Sequence, residues 1–135
     1  MSNFVVFDSP VLIDQIRTNR HFHRMLHLDG ILRNSSVVLA ELWRGVTTAV
    51  DRKVVEVLER SHAILTPTTN NWLESGQILN RMQSVHGFQP AKLRNLHFDV
   101  LIALTVRSHG ARLITSNRAD FELIRKYRDF KLEVW

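Results

Sequence analysis

Asp8, Glu41, Asp99 and Asp120 are spread over most of the chain, yet each stands at the start of, or inside, an apolar stretch. Isolated carboxylates are costly to bury, whereas several that converge on a divalent cation neutralise one another through it. The pattern points to a shared metal-binding pocket assembled from distant parts of the sequence. Hard oxygen ligands of this kind suit Mg2+ or Mn2+, which bind through a few carboxylates plus waters. Such ions activate an attacking water and stabilise charge growing on a phosphate and its leaving oxygen.

The elements that must position these acids can be read in order. Phe4-Val5-Val6-Phe7 is a short apolar run followed directly by Asp8-Ser9-Pro10, the pattern of a strand entering a helix with proline in its first turn. Val11, Leu12, Ile13 and Ile16 give that helix an apolar face, and Asp8 stands at the carboxyl end of the strand. Asn34-Ser35-Ser36 offers caps for a helix carrying Glu41 in its second turn. Ala63-Ile64-Leu65-Thr66-Pro67 reads as another short strand, and Thr69 to Met82 as an amphipathic helix with Trp72, Leu73, Ile78 and Leu79 on its apolar side. Asn95 is expected to cap a nearly all-apolar, buried helix from Leu96 to Ser108, closed by Gly110. Leu113-Ile114-Thr115 is a further strand, Ser116 or Asn117 caps a helix to about Lys126, and Phe130 to Trp135 is a closing strand.

Strands alternating with helices predict an α/β fold, a central mainly parallel sheet with helices on both faces. Sites in such sheets form outside the carboxyl ends of the strands, where Asp8 and Asp120 fall directly. Glu41 and Asp99 are expected near helix starts, where the backbone dipole favours negative charge. Asp99 has Leu96, Ile102 and Ala103 at helical spacing, so it projects from a core face and needs a partner. Gly45, inside a helix at a cost of about 1 kcal/mol relative to alanine, is read as leaving room beside Glu41. Each acid also has a plainer role open to it: Asp8 and Asp120 in helix caps, Glu41 as an exposed helix residue, Asp99 in a structural ion pair.

Composition limits what the pocket belongs to. A chain of 135 residues with 44% hydrophobic and 23% charged residues has globular composition and can bury roughly two-thirds of its unfolded surface. There are no cysteines, so disulfides and thiol catalysis are excluded and a reducing cytoplasm is the expected location. The start, Met1-Ser2-Asn3-Phe4, lacks the pattern of a signal peptide, and the longest apolar run, Val100 to Leu104, is too short for a bilayer. No membrane association is expected. The net charge is +5, with 14 arginines against 4 lysines, which suits a polyanion or an acidic protein partner.

In order along the chain, Phe4 to Asp14, Ser35 through Glu41-Leu42 to Gly45, Trp72, Asp99-Val100-Leu101-Ile102-Ala103, and Leu113 through Asp120-Phe121 carry a family resemblance. The chain resembles the PIN-domain nucleases, especially the small VapC-type toxins of prokaryotic toxin-antitoxin pairs. It departs from their pattern at Pro10 and Val38, and neither departure replaces a carboxylate. The resemblance implies a PIN-like three-layer α/β/α domain over residues 1–135 and metal-dependent endoribonuclease activity. Asp8 and Asp99 would be the principal ligands of Mg2+ or Mn2+. Glu41 and Asp120 would complete the pocket as ligands, through waters, or by orienting the nucleophile. Ser9, Thr115 and Asn117 would support them. The implied partners are an RNA substrate, a second copy in a homodimer, and a cognate antitoxin whose carboxyl-terminal segment covers the pocket.

Weaker signals stand beside this reading. Arg17, Arg20, Arg24 and His27 fall at helical spacing and, with Arg118, offer contacts to RNA or a partner, although a solvated basic face explains the stripe equally. His21, His23 and His27 lack a third defined ligand for a metal site. Two alternatives to the nuclease are a catalytically inactive PIN-like module that binds RNA or protein, and a phosphoryl-transfer enzyme with Asp8 as phosphoacceptor. A dehalogenase-type phosphatase would need a second aspartate where Pro10 stands, and no receiver-type set of acids and lysine is present.

Overall fold

The computed structural model describes residues 3–135; Met1 and Ser2, part of the amino-terminal stretch read above, lie outside the described residues. Strand β1 (Phe4–Phe7) runs into Asp8, whose side chain accepts a hydrogen bond from the Ser9 amide and caps α1 (Ser9–Thr18). Pro10 sits in the first turn, where its missing N–H costs nothing. Asn19, left-handed at φ 55°, ends α1 and separates it from the short α2 (Phe22–Leu26). Gly30 then lets the chain pass tightly behind β1: a Cβ there would lie 2.7 Å from the Val5 side chain, at a φ of +140°. Next come β2 (Ile31–Leu32) and β3 (Asn34–Ser35), then α3 (Ser36–Arg44), capped by the Ser35 hydroxyl accepting from the Val38 amide. Helix α4 (Ala49–Ser61) is followed by β4 (Ile64–Leu65) and by α5 (Thr69–His86), which opens on a reciprocal Thr68/Asn71 capping box. Helix α6 (Pro90–Ser108), β5 (Arg112–Thr115), α7 (Arg118–Arg125) and β6 (Lys131–Val134) complete the order.

The central sheet has the order β2-β1-β5-β6, parallel throughout, with Phe7 beside Ile114 and Thr115 beside Val134. Alternation along the strands sends side chains to two cores. Val6 and Leu113 meet α3, α5, α6 and α7, with Leu101, Ile102, Leu104, Ile78, Met82 and Phe121 at the centre. Val5, Phe7 and Ile114 pack with Val11 of α1, and Met25 and Leu28 cover them at the margin. Helices therefore lie on both faces, giving the expected three layers. Among the described residues no helix is long and apolar enough to cross a membrane.

Several details depart from expectation. Elements α2, β2, β3 and α4 go beyond the expected set, and the strand near Ile64 pairs with β3 in a separate two-stranded ladder rather than joining the central sheet. Helix α6 begins at Pro90, so Asn95 lies within it and caps nothing. Helix α5 buries Asn71, Ser75, Ile78 and Met82, leaving Trp72 and Leu73 53% and 63% exposed. Asn71 and Ser75 turn inward because each has a partner on the facing helix α6: the Asn71 amide donates to Ser108 Oγ at 2.9 Å, and Ser75 Oγ lies 3.1 Å from His97 Nε2. Gly45 is the closing residue of α3, not an interior one, and a Cβ there would meet only ordinary contacts.

Candidate functional site

Four elements bring the four acids to the carboxyl edge of the sheet. Asp8 ends β1, Glu41 comes from α3, Asp99 from α6, and Asp120 from the first turn of α7. Together with Ser9, Pro10, Arg44, Asn95, Phe98 and Asn117 they line one cavity of about 220 Å³. The expected helix-start position is wrong for Glu41, which stands in the last turn of α3, and for Asp99, which lies mid-way along α6 once that helix is traced from Pro90. Neither charge is therefore favoured by a helix start, and each is governed by its neighbours in the cavity.

Asp8 is the most fixed member. It is 2% exposed; Oδ1 accepts from the Ser9 amide at 2.9 Å and Oδ2 from the buried Thr115 hydroxyl at 2.7 Å. Burial raises its pKa, and these two hydrogen bonds oppose the rise. The Thr115 hydroxyl also accepts the Asn117 amide at 3.0 Å. Asn117 holds Asp120 twice, accepting the Asp120 amide at Oδ1 and donating from Nδ2 to Oδ2 at 3.1 Å. The capping role open to Asp8 is thus real, and it fixes the carboxylate without removing it from the cavity.

Glu41 and Asp99 are the unsatisfied members. Glu41 Oε1 is buried with no hydrogen-bond partner. Desolvation and then the Asp8 charge push its pKa up to about 7, against the opposing effects of Arg44 and Ser9. Asp99 is raised further, to about 8, by desolvation and then by Asp8, Glu41 and Asp120, with only Lys92 opposing. Like charges brought together out of water resist joint ionisation. Among the described residues no three histidine or acidic side chains are grouped tightly enough to hold a metal ion as they stand, as mutual repulsion would dictate. The chemistry nevertheless fits a hard divalent cation: an all-oxygen donor set, an orphaned buried carboxylate oxygen, and carboxyls whose pKa values burial and then neighbouring acids raise.

Two cations at the site were absent from the sequence reading. Lys92 Nζ donates to Asp120 Oδ1 at 2.7 Å, and Arg44 lines the cavity with its guanidinium 5.4 Å from the Phe98 ring centre. Helical spacing carried the signal: Lys92 is two turns before Asp99, and Arg44 one turn after Glu41. The expected basic stripe does not form on one helix, because Asn19 breaks the chain between Arg17 and Arg24. Arg17 lines a neighbouring, largely apolar groove with Ile13, Ile16 and Val55, which shares Glu41 with the acidic cavity. Arg20 pairs with Asp14 at 3.6 Å, and Arg24 lies over the Trp135 ring. Arg118 is exposed at the start of α7. His21 packs on Trp135, and His27 Nδ1 meets the His23 carbonyl oxygen.

The PIN domain profile matches residues 5–127, and the chain belongs to that family. Among solved structures it is similar to a chain of DNA-bound VapBC from Salmonella typhimurium, at 24% identity and TM-score 0.73, covering 100% of this chain and 99% of that one. A chain of VapBC2 from Rickettsia felis, bound to a DNA fragment from its promoter, aligns at 20% identity and TM-score 0.74, covering 98% of each. A chain of VapBC-5, a toxin-antitoxin system member from Mycobacterium tuberculosis, aligns at 19% identity and TM-score 0.62, covering 97% and 96%. At such identities the likeness is one of fold. No curated protein matches the chain.

Proposed function

We propose that this chain is a VapC-type toxin: a metal-dependent endoribonuclease that hydrolyses RNA phosphodiesters at the Asp8, Glu41, Asp99 and Asp120 pocket, as one domain over residues 1–135. The observation that carries this reading is the convergence of four carboxylates from four elements on one cavity, three of them with raised pKa values. Clustered acids with perturbed protonation mark functional sites more often than structural ones. Membership of the PIN family and the fold shared with VapBC structures support the toxin assignment.

Asp8, Glu41 and Asp99 would hold Mg2+ or Mn2+, with Asp120 at the edge of the set. An ion held there would supply Lewis-acid chemistry, lowering the pKa of a water and offsetting charge on the phosphate oxygens. Thr115 and the Ser9 amide keep the Asp8 carboxylate in one orientation. Glu41, whose buried Oε1 has no other partner, would complete the set as a ligand, through a water, or by accepting a hydrogen bond that orients the attacking water. Asn117 and Lys92 hold Asp120 against the pocket wall.

The partners in this reading are an RNA substrate, a cognate antitoxin and a second copy of the chain, acting in the cytoplasm. Cleavage of a labelled RNA pool by wild type, Asp8→Asn and Asp99→Asn, with Mg2+, Mn2+ or EDTA, tests the activity. Metal-dependent cutting that folded variants lose supports the nuclease; equal background in all three favours a binding module. Co-expression with the neighbouring gene tests the partner, and a toxin that never co-purifies with its product opposes the pairing.

A further inference from the structure

The acidic cavity has two cations near it, and they are committed differently. The Lys92 ammonium is spent on Asp120 at 2.7 Å. Arg44, the cationic side chain lining the cavity among the described residues, makes no ion pair or side-chain hydrogen bond there, although it ends the helix that carries Glu41. Glu41 Oε1 stays without a hydrogen-bond partner, so the guanidinium does not close onto it. It lies over the Phe98 ring instead, 5.4 Å from the centre. Some arginines are tied to carboxylates, as Arg112 is to Glu133, Arg125 to Glu122 and Arg128 to Glu74, and others lie over rings elsewhere, as Arg24 does over Trp135 and Arg33 over Phe4; Arg44 is the ring-held arginine that lines the acidic cavity. An aromatic ring restricts a guanidinium without consuming its N–H donors, which leaves a planar fork able to grip a phosphate through two hydrogen bonds.

A strand of phosphates approaching four carboxylates meets repulsion, and a held positive donor on the cavity wall offsets it. We infer that Arg44 binds a phosphate of the RNA strand beside the carboxylate pocket, held for that contact by Phe98. This assignment rests on the ribonuclease reading. It differs from the expected basic stripe, whose arginines lie elsewhere.

The test uses the full chain in two backgrounds. In cleavage-inactive Asp99→Asn protein, binding to labelled single-stranded RNA is followed by anisotropy across a salt series, with Arg44 intact, Arg44→Gln and Arg44→Lys. In active protein, KM and kcat are measured for the same changes, and Mn2+ binding is measured by calorimetry. Arg44→Gln is expected to weaken RNA binding about tenfold or more and to reduce the salt slope by about 0.7, one phosphate contact's worth on a single strand. KM should rise more than kcat falls. Arg44→Lys should restore the slope but only part of the affinity, because an ammonium lacks the planar fork. Mn2+ affinity should stay the same or tighten, because the charge removed is one that acts on Glu41 and opposes a cation there.

Unchanged RNA affinity and slope in Arg44→Gln, in a protein that binds and cuts RNA, overturn the assignment. So does a Mn2+ affinity that weakens in step with RNA binding, since Arg44 would then act through the carboxylates. Failure of every protein, wild type included, to bind or cut RNA overturns the ribonuclease reading itself and the Arg44 assignment with it.

Discussion

Replacing Asp99 with asparagine should make the metal-free protein more stable. Asp99 makes no side-chain hydrogen bond among the described residues, and its carboxyl is raised from 3.8 to about 8 by desolvation and three neighbouring carboxylates. Because the folded value lies above the unfolded one, the folded protein binds more protons between about pH 4 and pH 8. Stability therefore falls as pH rises through that window. Near pH 7.5 the full ionisation penalty would be about 5 kcal/mol at about 1.4 kcal/mol per pKa unit. Water at the half-open cavity screens this to roughly 2 kcal/mol. For a chain of 135 residues, an unfolding entropy of about 2.1 cal/mol/K per residue converts that to roughly 7 °C. Thermal unfolding in EDTA, followed by circular dichroism, should place Asp99→Asn about 5–10 °C above wild type near pH 7.5, and at most about a third of that near pH 5. Millimolar Mg2+ should reverse the order, raising wild type and leaving the variant almost unmoved. A variant that melts below wild type in EDTA, or whose gain is equal at both pH values, refutes the electrostatic account of the pocket.

Four further substitutions probe the pocket's surroundings and the fold. Thr115→Val removes the 2.7 Å hydrogen bond to buried Asp8 and should cost about 2 kcal/mol in urea unfolding near neutral pH; a loss below about 0.5 kcal/mol would mean that Asp8 does not depend on it. Lys92→Met breaks an ion pair whose side chains are 40% and 22% exposed, so stability should change by only about 1 kcal/mol. Mn2+ binding should tighten several-fold as positive charge leaves and Asp120 Oδ1 is freed, and weaker binding would count against this geometry. Gly30→Ala and Gly76→Ala should differ in sign. The first forces a Cβ to 2.7 Å from Val5 at positive φ and should cost about 3 kcal/mol, whereas the second meets open space in mid-helix and should gain about 0.5–1 kcal/mol.

Local chemistry explains which parts of the fold were legible. The runs Phe4–Phe7 and Leu113–Thr115 are apolar, short and followed by capping residues, so their strand character and the positions of Asp8 and Asp120 could be read directly. Ser35 and Asn117 cap as their types suggest. The two-residue strands β2 and β3 have no length to carry a period, and they exist because β1 and β4 pair with them. On α5 the apolar pattern was half right: Ile78 and Leu79 face the core but Trp72 and Leu73 do not, because Asn71 and Ser75 are buried through partners on α6 that no local window contains. The start of α6 was readable from Pro90, but the apolar run after Asn95 drew the boundary inward. That error also misplaced Asp99 at a helix terminus and hid Lys92 on the same face.

The sequence alone determined the alternation of elements, the caps and the four acids, because propensity, capping and periodicity act over a few residues. The tertiary structure decided that those acids share one cavity, and which of them remain unsatisfied there. Lys92 and Asn117 take both oxygens of Asp120, whereas a Glu41 oxygen is left with none. Such choices depend on distances between groups on separate elements, on solvent exclusion and on the sum of nearby charges. Those quantities come into being only when the chain has packed.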